Sequence, residues 1–142
     1  MKKIITVLVM LFILVGCGNS TEKERDFNQT NTEVKEGSNE EIAELSVISE
    51  NQIKKLYGID NIKINYTTKD FKVFRMPDDK NAETGEVYKN VYSGIGDFTW
   101  QDKIYHFSIL YSMVDDSKYN VLSLTSQYDT DKIINVPLES DK

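Results

Sequence analysis

Hydrophobic and polar positions divide the chain into three regimes. Ile4 to Val15 is a twelve-residue run, apolar except for Thr6. Residues 18 to 39 are polar, with Phe27 and Val34 as their only large apolar side chains. From residue 40 onward the apolar positions become periodic, first at helical and then at strand spacing. A polar segment like the middle one buries too little surface to offset its ordering entropy, so it reads as a flexible tether. The last regime reads as one folded domain, residues 40–142. About 100 residues can build a hydrophobic core without disulfides or metal.

A helix opens the domain. Ser38 followed by Glu41 forms a capping-box pattern. Ile42, Leu45, Ile48 or Ser49, Ile53 and Leu56 then fall on one helical face. Lys54 and Lys55 suit the last turn, and Gly58 suits a left-handed C-terminal cap. Ser49 with Gln52 makes a second box, which leaves the helix start open between residues 39 and 50. Beyond Gly58 the period becomes two. Ile62, Ile64 and Tyr66 alternate with polar residues, and Phe71, Val73, Phe74 and Met76 continue the pattern. A polar loop runs from Pro77 to about Gly85, and Val87 to Tyr92 alternates again. Gly94 and Gly96 flank Ile95 as a bulge or bend. Phe98–Trp100 and Ile104–Met113 flank a turn at 101–103, with Tyr105, Phe107, Ile109, Tyr111 and Met113 on one strand face. Tyr119 to Tyr128 forms the last long strand, extended at a sheet edge by Ile133, Ile134 and Val136. The fold class predicted is α+β: an N-terminal helix packed on a curled four- to five-stranded antiparallel sheet.

The first segment has the anatomy of an export signal, with Lys2 and Lys3 preceding the apolar run. Twelve helical residues span about 18 Å, short of the roughly 30 Å hydrocarbon core of a bilayer. The run ends in Leu14-Val15-Gly16-Cys17, which resembles the lipobox of bacterial lipoproteins. The resemblance implies that residues 1–16 are a signal peptide cleaved between Gly16 and Cys17. It also implies that the Cys17 thiol carries a diacylglyceryl group, of the palmitate kind, and that residues 17–39 form the lipidated Cys and its tether. Two acyl chains anchor a protein firmly. The mature chain is then expected at the cell membrane, lipid-anchored on its extracytoplasmic face. Lys outnumbers Arg 15 to 2, with 14 Ile, 11 Asn and 2 Ala. That bias is typical of AT-rich, Gram-positive genomes.

Composition narrows the chemistry. One Cys excludes a disulfide framework and one His excludes multi-histidine metal sites. A net charge of −6 opposes binding to nucleic acid. No cofactor and no metal are expected. The acid pairs Glu40-Glu41, Asp78-Asp79 and Asp115-Asp116 lack the spacing of a calcium loop, and Asp129-Thr130-Asp131 lacks the following acid and Gly. Gly94-Ile95-Gly96 is no phosphate loop. His106 reads as a partly exposed strand residue.

The layout over residues 40–136 resembles the small cystatin-like-fold lipoproteins of Gram-positive bacteria, some carried by mobile elements. The Gln-x-Val-x-Gly hairpin of inhibitory cystatins is absent, so protease inhibition is not implied. The strands are rich in tyrosine, a residue favoured at interfaces. Tyr88, Tyr92, Tyr119 and Tyr128 are the candidate contact residues, weighed against a plain role in covering the sheet. The expectation is a non-catalytic, lipid-anchored module that contacts an envelope or surface protein, with an exclusion or immunity role among its possibilities. A module for a small ligand or cell-wall fragment is the alternative, and an envelope hydrolase ranks third.

Overall fold

The computed structural model of the protein describes residues 25–141, so Gly16, Cys17 and the export segment lie outside the described residues. Helix α1 spans Asn39–Tyr57. Both halves of the capping box are formed. The Ser38 Oγ accepts from the Glu41 N–H at 3.3 Å, and Glu41 Oε2 accepts from the Ser38 N–H at 2.8 Å. Gly58 ends the helix at φ 67°, its N–H donating to the Lys54 carbonyl at 2.9 Å. The second box does not restart the helix. Ser49 is fully buried and serves as a small residue against the sheet.

The strands are β1 (Lys35–Glu36), β2 (Lys63–Ile64), β3 (Lys72–Met76), β4 (Asp79–Lys80), β5 (Val87–Tyr88), β6 (Val91–Trp100), β7 (Lys103–Met113), β8 (Tyr119–Ser126) and β9 (Ile134–Asn135). Seven of them form one antiparallel sheet in the order β1-β3-β6-β7-β8-β9, with β2 also paired to β6. The α+β class holds, but the sheet is larger than four to five strands and is not strongly curled. Strand β2 lies within the expected Ile62–Tyr66 alternation and β9 within the expected edge extension, whereas β1, two residues long, leaves no periodic pattern. The ladder of β6 and β7 runs unbroken from Val91–Ser112 to Trp100–Lys103, so Gly94 and Gly96 make no bulge. Both glycines instead let other groups approach the inner face. A Cβ at Gly94 would collide with the Leu45 side chain of α1, and one at Gly96 would lie 2.5 Å from the Phe71 ring.

The inner face packs on α1 through Leu45, Ile48 and Ile53 against Val73, Phe98, Phe107, Ile109, Tyr111 and Leu124. The true bulge is in β8. Leu110 pairs with Ser123 and Tyr111 with Val121, which leaves Leu122 as the extra residue and reverses the pleat there. Leu122 therefore joins a second cluster with Tyr88, Val91 and Leu138 on the outer face. The β4–β5 hairpin and the C-terminal segment supply the cover, tied by a bridge between Asn81 and Leu138. Beyond this cover the outer face is open, and Ile95, His106, Ser108 and Thr125 are exposed.

The tether expected up to residue 39 is corrected for residues 25–37, which lie along the domain as a strap. Gly37 N–H donates to the Val73 carbonyl at 2.8 Å. Lys35 and Glu36 pair with Arg75 and Phe74. Asn31 Nδ2 donates to the Met76 carbonyl at 2.6 Å, and the Phe27 ring packs against the main core. Backbone pairing and polar anchors hold this stretch, and neither depends on apolar periodicity.

Candidate functional site

The four tyrosines singled out from the sequence do not share a surface. Tyr88 is buried in the outer cluster, its hydroxyl donating to Glu86 Oε2 at 3.1 Å. Tyr92 is buried on the inner side, stacked on Tyr111 with centroids 5.3 Å apart. Tyr119 is half-buried and accepts a hydrogen bond from Gln52 Nε2 at 3.0 Å. Only Tyr128 stands among other half-buried aromatic residues. The contact role expected for Tyr88 and Tyr92 is therefore corrected: both sheet faces are covered where these rings lie, so alternation placed them in cores.

A different arrangement occupies the end of the sheet reached by β6 and β7. Tyr128 meets four rings: Trp100 at 5.3 Å, Tyr105 at 5.2 Å, Tyr57 at 5.2 Å and Phe98 at 6.3 Å between centroids. Phe98 is fully buried and forms the root of this cluster. Trp100, Tyr105 and Tyr128 are half-exposed. Edge-to-face pairs of this kind each contribute about 0.5–1.5 kcal/mol beyond area burial, so the partly exposed rings are held rigid. Gln101 and Asp102 close the hairpin with φ of 48° and 62°. Two successive left-handed residues define the tightest hairpin turn, normally built from Asn and Gly. For other residues the conformation costs on the order of 1 kcal/mol each. Ile104 follows the turn and is 67% exposed, the most exposed of the large hydrophobic side chains described.

The open outer face adjoins this tip. His106 lies one pleat from Ile104, and its Nδ1 pairs with Asp97 Oδ1 across the β6–β7 ladder. A shallow cleft beside it, lined by Ser108, Thr125, Gln127, Thr130 and Ile133, is open to solvent. Nucleophilic catalysis needs a hydroxyl or thiol within hydrogen-bond reach of the base. Among the described residues no hydroxyl hydrogen-bonds to His106. No group of three His, Cys, Asp or Glu side chains among them could hold a metal ion.

At the opposite end, near the start of α1, charge is concentrated under the strap. Glu41 is 2% exposed and accepts from Arg75 Nε at 2.7 Å. Arg25 forms a fork on Glu44, with both N–H···O distances 3.1 Å. Burial, with the nearby Glu41 charge, pushes the Tyr92 hydroxyl pKa up to about 12. Burial also raises the Tyr111 hydroxyl pKa strongly, and the neighbouring Glu44 adds to the effect.

Sequence reasoning singled out neither Trp100 nor Ile104. The available signal was a large aliphatic residue directly after a turn, on the polar side of an alternating strand. Among the described residues, no helix is long and apolar enough to cross a membrane. No protein-family model, curated protein or solved structure matches the chain.

Proposed function

We propose that the protein is a lipid-anchored, extracytoplasmic and non-catalytic binding module that contacts an envelope or surface protein through the tip at Trp100–Tyr105. The observation that carries this reading is a strained hairpin tip that presents three rigid, half-exposed rings on the inner side of the sheet and exposed Ile104 on the outer side. Trp and Tyr dominate binding hot spots, where rigid rings give contact area at low entropic cost. Polar groups of the open outer face, with His106 and Asp97 nearest, would form a rim. The lipobox residues Gly16 and Cys17 support the anchor. The helix laid across an antiparallel sheet is in keeping with the cystatin-like lipoprotein layout.

Two measurements test the two halves of the proposal. Fatty-acid labelling and fractionation of Cys17→Ser should show loss of label and of membrane attachment, and retained label would refute the anchor. A photo-crosslinking residue at position 104, in intact cells, should give a discrete adduct. The same residue at position 47, which is 60% exposed on the outside of α1, should not. Equal adducts from both positions would remove the tip from consideration.

A further inference from the structure

The second concentration of chemistry, beneath the strap, is built like a peptide-recognition site. Glu44 presents both carboxylate oxygens to the Arg25 guanidinium at 3.1 Å. The Arg25 Cζ lies 5.4 Å from the Tyr92 ring centroid and 5.8 Å from that of Phe27. A guanidinium held by a carboxylate fork and an aromatic face is recognised by its planarity as well as by its charge, which Lys cannot reproduce. The chain uses only 2 Arg against 15 Lys. Both arginines stand here: Arg75 neutralises buried Glu41, and Arg25 takes Glu44. The backbone of the same stretch is also gripped. Asn90 Nδ2 donates to the Phe27 carbonyl at 3.0 Å, and Lys89 Nζ donates to the Asn28 carbonyl at 2.8 Å.

Every recognising group belongs to the body of the domain: α1, the start of β6 and the two residues before it. The recognised groups are a guanidinium, an aromatic ring two residues later and two carbonyls. None of these contacts depends on the strap being continuous with the rest of the chain. The strap buries little apolar surface, since residues 28–30 and 32–36 are exposed, and its Arg25–Asn28 stretch lies outside the β1 ladder. Segments with few buried apolar contacts open at lower free energy than a core does.

From this we infer that the cleft bounded by Glu44, Tyr92, Lys89 and Asn90 is a binding site for an extended protein segment carrying arginine two residues before an aromatic residue. The chain's own Arg25–Phe27 stretch fills that site in cis. The site is separate from the tip and does not depend on the role proposed for it. A tethered occupant acts at an effective concentration in the millimolar range, so an outside segment binds only by displacing the strap. The strap thus keeps the site closed until a better-matched partner arrives.

The test uses the mature chain with Cys17→Ser and a capped tetrapeptide with the sequence of residues 25–28, titrated by calorimetry. The double variant Arg25→Ala/Phe27→Ala empties the site. It should bind the peptide at least tenfold more tightly than the unsubstituted strap allows. Adding Glu44→Gln should reverse that gain by at least tenfold, and a peptide with Lys in place of Arg should bind several-fold more weakly. A double variant that melts cooperatively and does not bind the peptide overturns the inference, as does binding indifferent to Glu44→Gln. If the double variant does not melt cooperatively, the unsubstituted chain is titrated with excess peptide and followed by amide NMR. Shifts at Glu44, Asn90 and Tyr92 then support displacement of the strap, and their absence overturns it.

Discussion

Gly94→Ala is a one-carbon test of how the helix sits on the sheet. Gly94 lies in β6 opposite Ile109, facing α1. An added Cβ would stand 2.9 Å from Leu45 Cδ1 and 3.1 Å from its Cγ, with Cδ2 nearer still. Leu45 is fully buried in the middle of the core, so its side chain has no open space to turn into. In an unobstructed strand, Ala would be favoured over Gly by roughly 0.5–1 kcal/mol through the entropy of the unfolded chain. Overpacking a dense core typically costs 1–3 kcal/mol, so the net expectation is a loss of about 1–2 kcal/mol. Leu45→Ala alone should cost about 2–5 kcal/mol by leaving a cavity. The double variant is the discriminating species, because the new Cβ then occupies part of the space Leu45 vacated. Urea denaturation of all four proteins closes the cycle. The double variant should be more stable than the sum of the single losses predicts, by about 1 kcal/mol or more. Strict additivity, or a Gly94→Ala protein as stable as the parent, would mean that the helix does not lie against β6 at this point.

Tyr111→Phe removes a buried hydroxyl that has no hydrogen-bond partner among the described residues. It should leave stability at pH 7 unchanged or raise it by up to about 1 kcal/mol. The same site sets an alkaline dependence. Tyr92 and Tyr111 ionise at higher pH in the folded protein than in the unfolded chain. The unfolded state therefore loses these protons first, and stability falls as pH rises from about 10 toward 12, by up to about 1.4 kcal/mol per pH unit for each group. Denaturation at pH 9, 10 and 11 should show the fall, and Tyr111→Phe should make it shallower. An unchanged slope would detach the effect from this residue. In β7, Phe107 is 4% exposed while the His106 side chain is 65% exposed. Phe107→Ala should cost about 3–5 kcal/mol and His106→Ala less than about 1 kcal/mol, and thermal melts that reverse the order would invert the strand's register.

What the sequence revealed follows from where each piece of information resides. The C-terminal end of α1 was legible because Gly58 acts on backbone groups within one turn of itself, whereas two capping boxes, at Ser38/Glu41 and Ser49/Gln52, left its start open. The inner face of β7 was legible because strict alternation from Tyr105 to Met113 admits only one apolar face. Of the two sheet edges, the one at Ile134–Asn135 was legible from Ile133, Ile134 and Val136, and the one at Lys35–Glu36 was not. Lys35–Glu36 is a strand by virtue of Arg75 and Phe74, 40 and 38 residues further along the chain. Two residues show no period of their own. The tyrosines were misread because alternation reports that a side is covered and not by what. Tyr88 is covered by the outer cluster and Tyr92 by the strap, both long-range events. The extra residue in β8 was equally silent, since Val121, Leu122 and Leu124 are all aliphatic and either phase looks plausible.

The strap also changes what an anchor at Cys17 would do. A tether running to residue 39 would let the domain sit anywhere within a wide radius of the membrane. With Arg25 docked, only residues 18–24 intervene, and eight peptide steps cannot exceed about 28 Å. Tyr92, beside Arg25, and Trp100, at the tip, are eight strand residues apart, or about 26 Å. The tip would then face away from the anchored end at a restricted height, which suits contact with a partner embedded in the same membrane. Two insertions of twelve Gly/Ser residues distinguish the arrangements. Placed after Ser20, the insertion adds a flexible span of roughly 19 Å and should move a dye at position 104 away from labelled lipid headgroups in vesicles carrying the acylated protein. Placed after Gln29, between the anchors at Phe27 and Asn31, the same residues should loop out and leave energy transfer unchanged. Equal loss of transfer from both insertions would mean that the strap does not restrain the domain, and the tether would again extend to the start of the helix.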